Sequence, residues 1–170
     1  RVRSMRWGLI PPWAKTTEDG GPDTKGPLLI NARSEKLTTS PVFRNSAKNK
    51  RCLVPMDGWY EWRPNGELAS GKKAPKTPFY MFGGDGEPLF MAGLWTTWRP
   101  KGAPKDPSPL VSCTIITTDA AGPLAEIHDR MPLTISERDW DRWLDPDAPI
   151  DEGLPRGHGD LDRIEIREVS

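Results

Sequence analysis

The sequence predicts a single domain built mainly from short β-strands, with few helices. Its 170 residues are the size of one domain and are enough to bury a core. Nineteen prolines interrupt long helices and favour short strands joined by ordered loops. Short apolar runs recur between polar, breaker-rich segments at 15–27, 64–78, 99–109 and 150–160, which read as loops.

Composition also excludes several classes of protein. No apolar run reaches the roughly 18 residues of a membrane-spanning helix, and no signal peptide is recognisable. Cys52 and Cys113 lie inside apolar runs, without CxxC or Cys/His spacing. This predicts buried free thiols, with a disulfide as the alternative and no metal site. These features fit a cytoplasmic protein without a metal or other cofactor.

The formal net charge is zero, but the two halves of the chain differ in charge. Residues 1–76 hold 15 Lys/Arg and 7 Asp/Glu, a net charge of +8, whereas residues 77–170 hold 9 and 17, or −8. A basic face of this kind suits the binding of a polyanion. The alternative is that the two halves interleave in space and their charges pair.

The amino-terminal residues read as a strand. Val2, Met5 and Trp7 alternate with arginines, so structure begins at once, and we expect native residues before Arg1. Trp13 follows two prolines at a turn, and is either a core anchor or an exposed platform for stacking.

Polar residues then arrive abruptly after the short apolar run at 28–30. Asn31 or Ser34 could simply cap the next segment. However, Asn31 and Arg33 are two residues apart, and this spacing places a carboxamide and a guanidinium on one face of an extended segment. Both residues are therefore candidates for a functional site.

Residues 51–62, RCLVPMDGWYEW, read as a buried strand that leads into three aromatics around one acid, Glu61. The acid either lies on the solvent face of a strand or occupies a partly desolvated pocket that raises its pKa. The second environment suits proton transfer. The basic residues at 48–51 read as a solvated turn, with phosphate contact as the alternative.

The second half of the chain contains three more strands and one helix. Apolar runs at 78–82 and 88–95, joined by GGDG, predict a hairpin, and the β-branched run at 110–118 predicts a central strand. Residues 136–144 predict an amphipathic helix with Ser136 as N-cap and Trp140, Trp143 and Leu144 packed inward. Residues 161–169 alternate as a last strand, which stops abruptly and predicts trimming at the carboxyl end too.

His128 follows the predicted central strand and precedes Arg130 and a Met-Pro turn. A single histidine is often structural, but its position beside Asp129 and Arg130 at the end of a strand makes it a candidate for proton transfer. The candidate groups are thus an amide, an acid and an imidazole. The sequence shows neither a nucleophile elbow nor a metal-binding or nucleotide-binding motif.

Six motifs in this order resemble the SOS-response-associated peptidase (SRAP) family. They are MRWGLIPPW at 5–13, NARSE at 31–35, RCLVPMDGWYEW at 51–62, MAGLW at 91–95, TIITT at 114–118 and HDRMP at 128–132. The resemblance covers roughly residues 5 to 145. It implies a β-rich α+β fold with a twisted, barrel-like antiparallel sheet and a few short helices, spanning residues 1–170 as one domain.

The resemblance also implies an activity. Members of the family bind single-stranded DNA and form a covalent cross-link to abasic sites through a cysteine exposed at the amino terminus once the initiator Met is removed, apparently by the protein itself. In this chain the resemblance implies catalytic roles for Asn31, Glu61 and His128. It further implies phosphate contacts from Arg33 and Arg130, and base stacking by Trp13 and Trp62.

The chain departs from the family pattern because it has no amino-terminal cysteine, and Cys52 and Cys113 do not match the nucleophile position. We expect omitted leading residues to explain this, with a truncated, non-cross-linking DNA binder as the alternative. The partner expected is single-stranded DNA with abasic sites, bound by a monomer in the cytoplasm, at the nucleoid when DNA is damaged. Two other functions stay open: a peptidase acting on other proteins, and a passive single-stranded DNA-binding module.

Overall fold

The computed structural model describes residues 1–66, 74–104, 108–150 and 159–169; parts of three predicted loops, at 67–73, 105–107 and 151–158, lie outside these residues. Across the described residues the chain forms two α-helices, several single turns of 3-10 helix and nine strands. The helices are α1 (Arg44–Asn49) and α2 (Trp140–Leu144). The strands are β1 (Arg6–Trp7), β2 (Asn31–Arg33), β3 (Arg51–Met56), β4 (Gly58–Pro64), β5 (Lys76–Gly83), β6 (Leu89–Trp98), β7 (Leu110–Asp119), β8 (Arg130–Pro132) and β9 (Ile164–Glu168). The prediction of a β-rich α+β fold with few short helices is confirmed.

The larger sheet is organised around β7, which confirms the prediction of a central strand at 110–118. Strands β1 and β2 pair with one edge of β7, while β6 and β8 pair with the other, and β3 extends the sheet beyond β6. Most pairs of strands are antiparallel, as expected, but β1 and β2 both run parallel to β7. The long connection between β2 and β7 makes this parallel pairing possible.

The smaller sheet contains β4, β5 and β9 in antiparallel order. The predicted hairpin across the GGDG turn at 83–86 is wrong, because β5 pairs with β4 and β9 and has no free edge for β6. The turn instead carries the chain from one sheet to the other. Arg163, just before β9, fixes it through two hydrogen bonds to Asp85, at 2.8 and 3.1 Å.

Two layers of core hold these elements together. One face of the larger sheet packs against α1 and α2, with Ala92, Leu94 and Ile116 buried beside Ala47 and Trp143. The opposite face packs against the smaller sheet. The residues in this second layer include Met91, Ile115, Met131, Trp59, Phe79, Met81 and Ile164.

The helical layer differs from its prediction in two places. Residues 48–51 are not a solvated turn, because α1 ends there and the Arg51 side chain is buried beneath the helices. Ser136 makes no side-chain capping bond, and the predicted helix is a 3-10 turn followed by the five residues of α2. Trp143 is buried as predicted, whereas Leu144 is 44% exposed, since so short a helix has a narrow buried face.

Cys52 and Cys113 are free thiols, which confirms the prediction made for them. Burial raises the pKa of the Cys52 thiol to about 12 and also raises the pKa of Cys113. Neither described helix has the length and apolar character needed to cross a lipid bilayer.

Candidate active site

Glu61 lies on the inner face of β4, the face that is turned toward the larger sheet. It pairs with Phe79 of β5, and residues paired across antiparallel strands share a face. Trp59 is two residues away on the same face and packs into the core between the sheets. The Glu61 side chain is 22% exposed, so it lies at the edge of this core and still reaches solvent.

Burial raises the pKa of the Glu61 carboxyl. The positive charges of His128 and Lys76 oppose this effect, and the negative charge of Asp129 adds to it. Of the two environments that the sequence left open, the structure therefore has the partly desolvated one. A carboxyl group of this kind holds its proton closer to neutral pH, as a group that both donates and accepts protons requires.

The aromatic residues next to Glu61 in sequence do not enclose it. Tyr60 and Trp62 alternate with Glu61 along β4 and therefore lie on the outer face of the smaller sheet, where they are 54% and 49% exposed. The sequence predicted a partly desolvated acid as one of two environments, but the groups that surround it differ from those expected. The apolar residues that share its face are Phe79, which is paired with Glu61 across β5, and Trp59, which lies two positions earlier along β4.

His128 faces Glu61 from the segment between the 3-10 turn at Gly122–Glu126 and β8. Its Nε2 atom lies 3.9 Å from Oε2 of Glu61. Nδ1 lies 3.0 Å from the Arg130 backbone nitrogen and 3.1 Å from the Arg130 carbonyl oxygen, so it accepts from the first or donates to the second according to the tautomer. Oδ1 of Asp129 lies 3.2 Å from Nδ1. An imidazole and a carboxyl therefore face one another at the solvent edge of the core between the sheets.

Asn31 and Arg33 lie on the larger sheet and are both exposed. They pair with Ile115 and Thr117 of β7, and Ile115 packs in the core between the two sheets. Asn31 and Arg33 are therefore on the face that is turned toward the smaller sheet, as their two-residue spacing predicted. Their strand pairs with β7 close to the position where β8, which follows His128, pairs with its other edge.

Arg130 is held by carboxylates. Its two terminal nitrogens donate to Glu35 at 3.2 and 3.1 Å, and one also donates to Asp119 at 2.6 Å. The other donates to the Thr117 backbone carbonyl at 2.7 Å. The phosphate contact expected of Arg130 stays a prediction, and it requires a phosphate to displace at least one of these carboxylates.

Trp13 is 58% exposed, so of its two interpretations the structure favours an exposed platform over a core anchor. Sequence reasoning did not single out Glu35, Phe79 or Arg63, although each has a place in this region. Arg63 could have been found from the same two-residue period that relates Asn31 to Arg33, since it follows Glu61 by two positions. In the part of the chain that the structure describes, no cluster of histidine, cysteine and acidic side chains is arranged to hold a metal ion.

Comparison with known proteins supplies independent information. The family model described as SOS response associated peptidase (SRAP) matches residues 1–170. Abasic site processing protein YoqW of Bacillus subtilis (strain 168) is 37% identical over 177 residues, covering 100% of this chain and 70% of that protein. Abasic site processing protein YedK of Escherichia coli (strain K12) is 32% identical over 138 residues, covering 81% and 52%. A crystal structure of a protein from Bacteroides thetaiotaomicron superposes with a TM-score of 0.73 at 26% identity, covering 98% of this chain and 68% of that one.

Proposed function

The chain belongs to the SOS response associated peptidase family, and from this premise we propose that it binds single-stranded DNA and forms a covalent cross-link to abasic sites. The observation that carries the proposal is the pair formed by Glu61 and His128, whose side chains face one another at 3.9 Å and are both partly exposed. The cross-link is a thiazolidine made by an amino-terminal cysteine, which residues 1–170 do not include. Removal of the initiator Met by the protein itself exposes that cysteine. The protein acts as a monomer in the cytoplasm, at the nucleoid when DNA is damaged.

The proposed chemistry needs a group that moves protons at one carbon atom. The abasic deoxyribose opens to an aldehyde, and the α-amine of the cysteine attacks the aldehyde carbon to give a carbinolamine. Protonated Glu61 gives its proton to the departing hydroxyl, which leaves as water, and the Schiff base forms. The thiol then adds to the same carbon, its proton returns to the carboxylate, and the ring closes. His128, whose Nε2 atom faces Glu61, assists the opening of the sugar ring or holds the sugar-phosphate.

The remaining site residues hold the reactants. Asn31 binds the amino-terminal residue through its carboxamide, which matters because a misplacement near 1 Å can cost about a hundredfold in rate. Arg33 contacts a backbone phosphate, and Arg130 does so after a phosphate displaces Glu35 or Asp119. Trp13 and Trp62 stack on bases beside the lesion, each for about 1–3 kcal/mol.

The test uses the full-length protein with its native amino terminus. Incubation with abasic single-stranded DNA is expected to give an adduct that survives a denaturing gel. Glu61→Gln keeps the shape of the side chain but cannot move a proton, and is expected to slow the adduct by about 10²–10⁴-fold. Glu165→Gln, on the exposed outer face of β9, is the matched control and is expected to keep the wild-type rate.

Two outcomes would contradict the proposal. If the correctly processed protein forms no adduct, and its DNA affinity depends on salt but not on the lesion or on Glu61, the protein is a passive single-strand binder. If it cleaves unrelated polypeptides and Glu61→Gln abolishes that cleavage, the protein is a peptidase acting on other proteins.

A further inference from the structure

Arg63 lies beside the proposed active site. It follows Glu61 by two residues along β4 and so shares its inner face. Its guanidinium carbon lies 4.7 Å from the ring centre of Phe79, the residue paired with Glu61. The Phe79 ring therefore holds the Arg63 head group on the same face of the sheet as Glu61.

The charge of Arg63 is not neutralised by a described carboxylate. Arg130 and Arg163 each bind two acidic side chains, whereas none of the described acidic groups lies within 4.0 Å of the Arg63 guanidinium. A guanidinium above a ring keeps its N–H donors free around its edge. Arg63 thus combines a fixed position with free donors, which is the arrangement that recognises an anion with two acceptor oxygens.

We propose that Arg63 binds the backbone phosphate adjacent to the abasic nucleotide; this inference rests on the proposed function. The Cα atoms of residues two positions apart along a strand are separated by about 7 Å, which is similar to the length of one nucleotide along an extended DNA strand. A sugar at Glu61 therefore places one of its own phosphates within reach of Arg63. Arg33 lies on the larger sheet and Arg63 on the smaller one, so arginines from both sheets contact the DNA backbone.

The chain contains a matched control in Arg167. Its guanidinium carbon lies 4.9 Å from the ring of Phe82, almost the same arrangement as Arg63 on Phe79. Arg167 pairs with Tyr80, however, and so lies on the outer face of the same sheet. It is on β9, two strands away from Trp62 on β4. The two arginines differ mainly in which side of the sheet they occupy.

The experiment measures the binding of full-length protein to single-stranded DNA containing a tetrahydrofuran abasic analogue, which has no aldehyde and cannot cross-link. Fluorescence anisotropy gives the affinity between about 50 and 200 mM salt. Arg63→Met keeps an apolar stem on Phe79 but removes the charge. Arg63→Met is expected to reduce the magnitude of the slope of log affinity against log salt by about 0.7. The ratio of the wild-type affinity to the Arg63→Met affinity therefore falls by about 2.6-fold across this range. Arg167→Met is expected to leave the slope unchanged.

A neutral methylphosphonate identifies the phosphate. When the methylphosphonate is placed beside the abasic analogue, it is expected to weaken DNA binding by the wild-type protein and by Arg63→Lys. It is expected to leave DNA binding by Arg63→Met unchanged. An unchanged slope in Arg63→Met, or an equal loss in Arg167→Met, would overturn the proposal. If Arg63→Met does not fold, the test uses the wild-type protein and Arg63→Lys. The proposal would then be overturned if the methylphosphonate weakens their DNA binding equally at every position in the DNA. Failure of the cross-linking reaction would leave these binding results intact and would count only against the proposed function.

Discussion

Replacing Arg51 with methionine tests the packing of the helices on the larger sheet. Arg51 is only 6% exposed, and its guanidinium donates to five backbone carbonyls. Its Nε donates to the Trp143 carbonyl at 2.6 Å, and Nη1 donates to the Ala47 carbonyl at 3.1 Å. The other acceptors are the carbonyls of Lys48, Asp145 and Ala148. One side chain therefore completes the carboxyl ends of both α1 and α2, whose last carbonyls have no partner within the helix.

The expected loss follows from the acceptors left behind. The bonds to Trp143 and Ala47 are fully buried, and a buried carbonyl without a donor costs about 1–3 kcal/mol. Methionine preserves most of the packing of the stem, and relief of the guanidinium desolvation, which lowers the pKa of Arg51, offsets part of the loss. A net loss of about 3 kcal/mol in the free energy of unfolding lowers the Tm by about 6–12 °C for a domain of this size.

Differential scanning calorimetry of the full-length protein measures this change. Arg44→Met removes an exposed arginine from the first turn of α1 and is expected to change the free energy of unfolding by less than about 0.5 kcal/mol. If Arg51→Met shifts the Tm no further than Arg44→Met does, the reasoning about unsatisfied carbonyls is refuted.

The other predictions concern the pH dependence of stability, close packing and the reactivity of the thiols. Because the pKa of Glu61 is raised in the folded protein, its contribution to stability is present at low pH and is lost as pH rises through that pKa. The Tm of Glu61→Gln relative to wild type is therefore expected to increase between about pH 4 and about pH 8, and a constant difference would contradict this. Gly93→Ala would place a methyl carbon 2.9 Å from Sγ of Cys52, so we expect a loss of about 1–3 kcal/mol by thermal unfolding, whereas Gly26→Ala has open space and is expected to be neutral. Iodoacetamide at neutral pH is expected to leave Cys52 and Cys113 unmodified in native protein and to label both after denaturation, as mass spectrometry of the peptides will show; native labelling would contradict their burial.

The sequence predicts the strands more reliably than the way they pair. The β-branched composition of 110–118 is a local feature, so the central strand could be read directly. Asn31 and Glu61 were expected at the ends of apolar strands, whereas Asn31 begins β2 and Glu61 lies in the middle of β4. The GGDG turn has the composition of a hairpin turn, and its local signal is correct for a tight turn. Which sheet receives the next strand depends on the pairing of β5 with β4 and β9, and this involves residues far away in the chain.

In the candidate site, too, the local spacing of residues was predictable, whereas contacts between distant parts of the chain were not. Spacing alone placed Asn31 and Arg33 on one face, and the structure has them there. Sequence neighbours suggested that Tyr60 and Trp62 surround Glu61, but a strand turns its immediate neighbours to the other side. The partners of Arg130 could not be anticipated, because Glu35 is 95 residues away and meets it only through the pairing of β2 and β8 with β7.

The two faces of β4 carry different side chains, so the number of residues in this strand fixes whether Glu61 faces the larger sheet. Deleting one residue between Gly58 and Glu61 would keep the strand but rotate every side chain beyond the deletion to the opposite side. The Glu61 carboxyl would then face solvent, and the Trp62 indole would face the larger sheet in its place. A change of length beyond Pro64 leaves Glu61 on the inner face. A single-residue deletion inside β4 is therefore expected to remove the proposed activity although every proposed catalytic residue is still present.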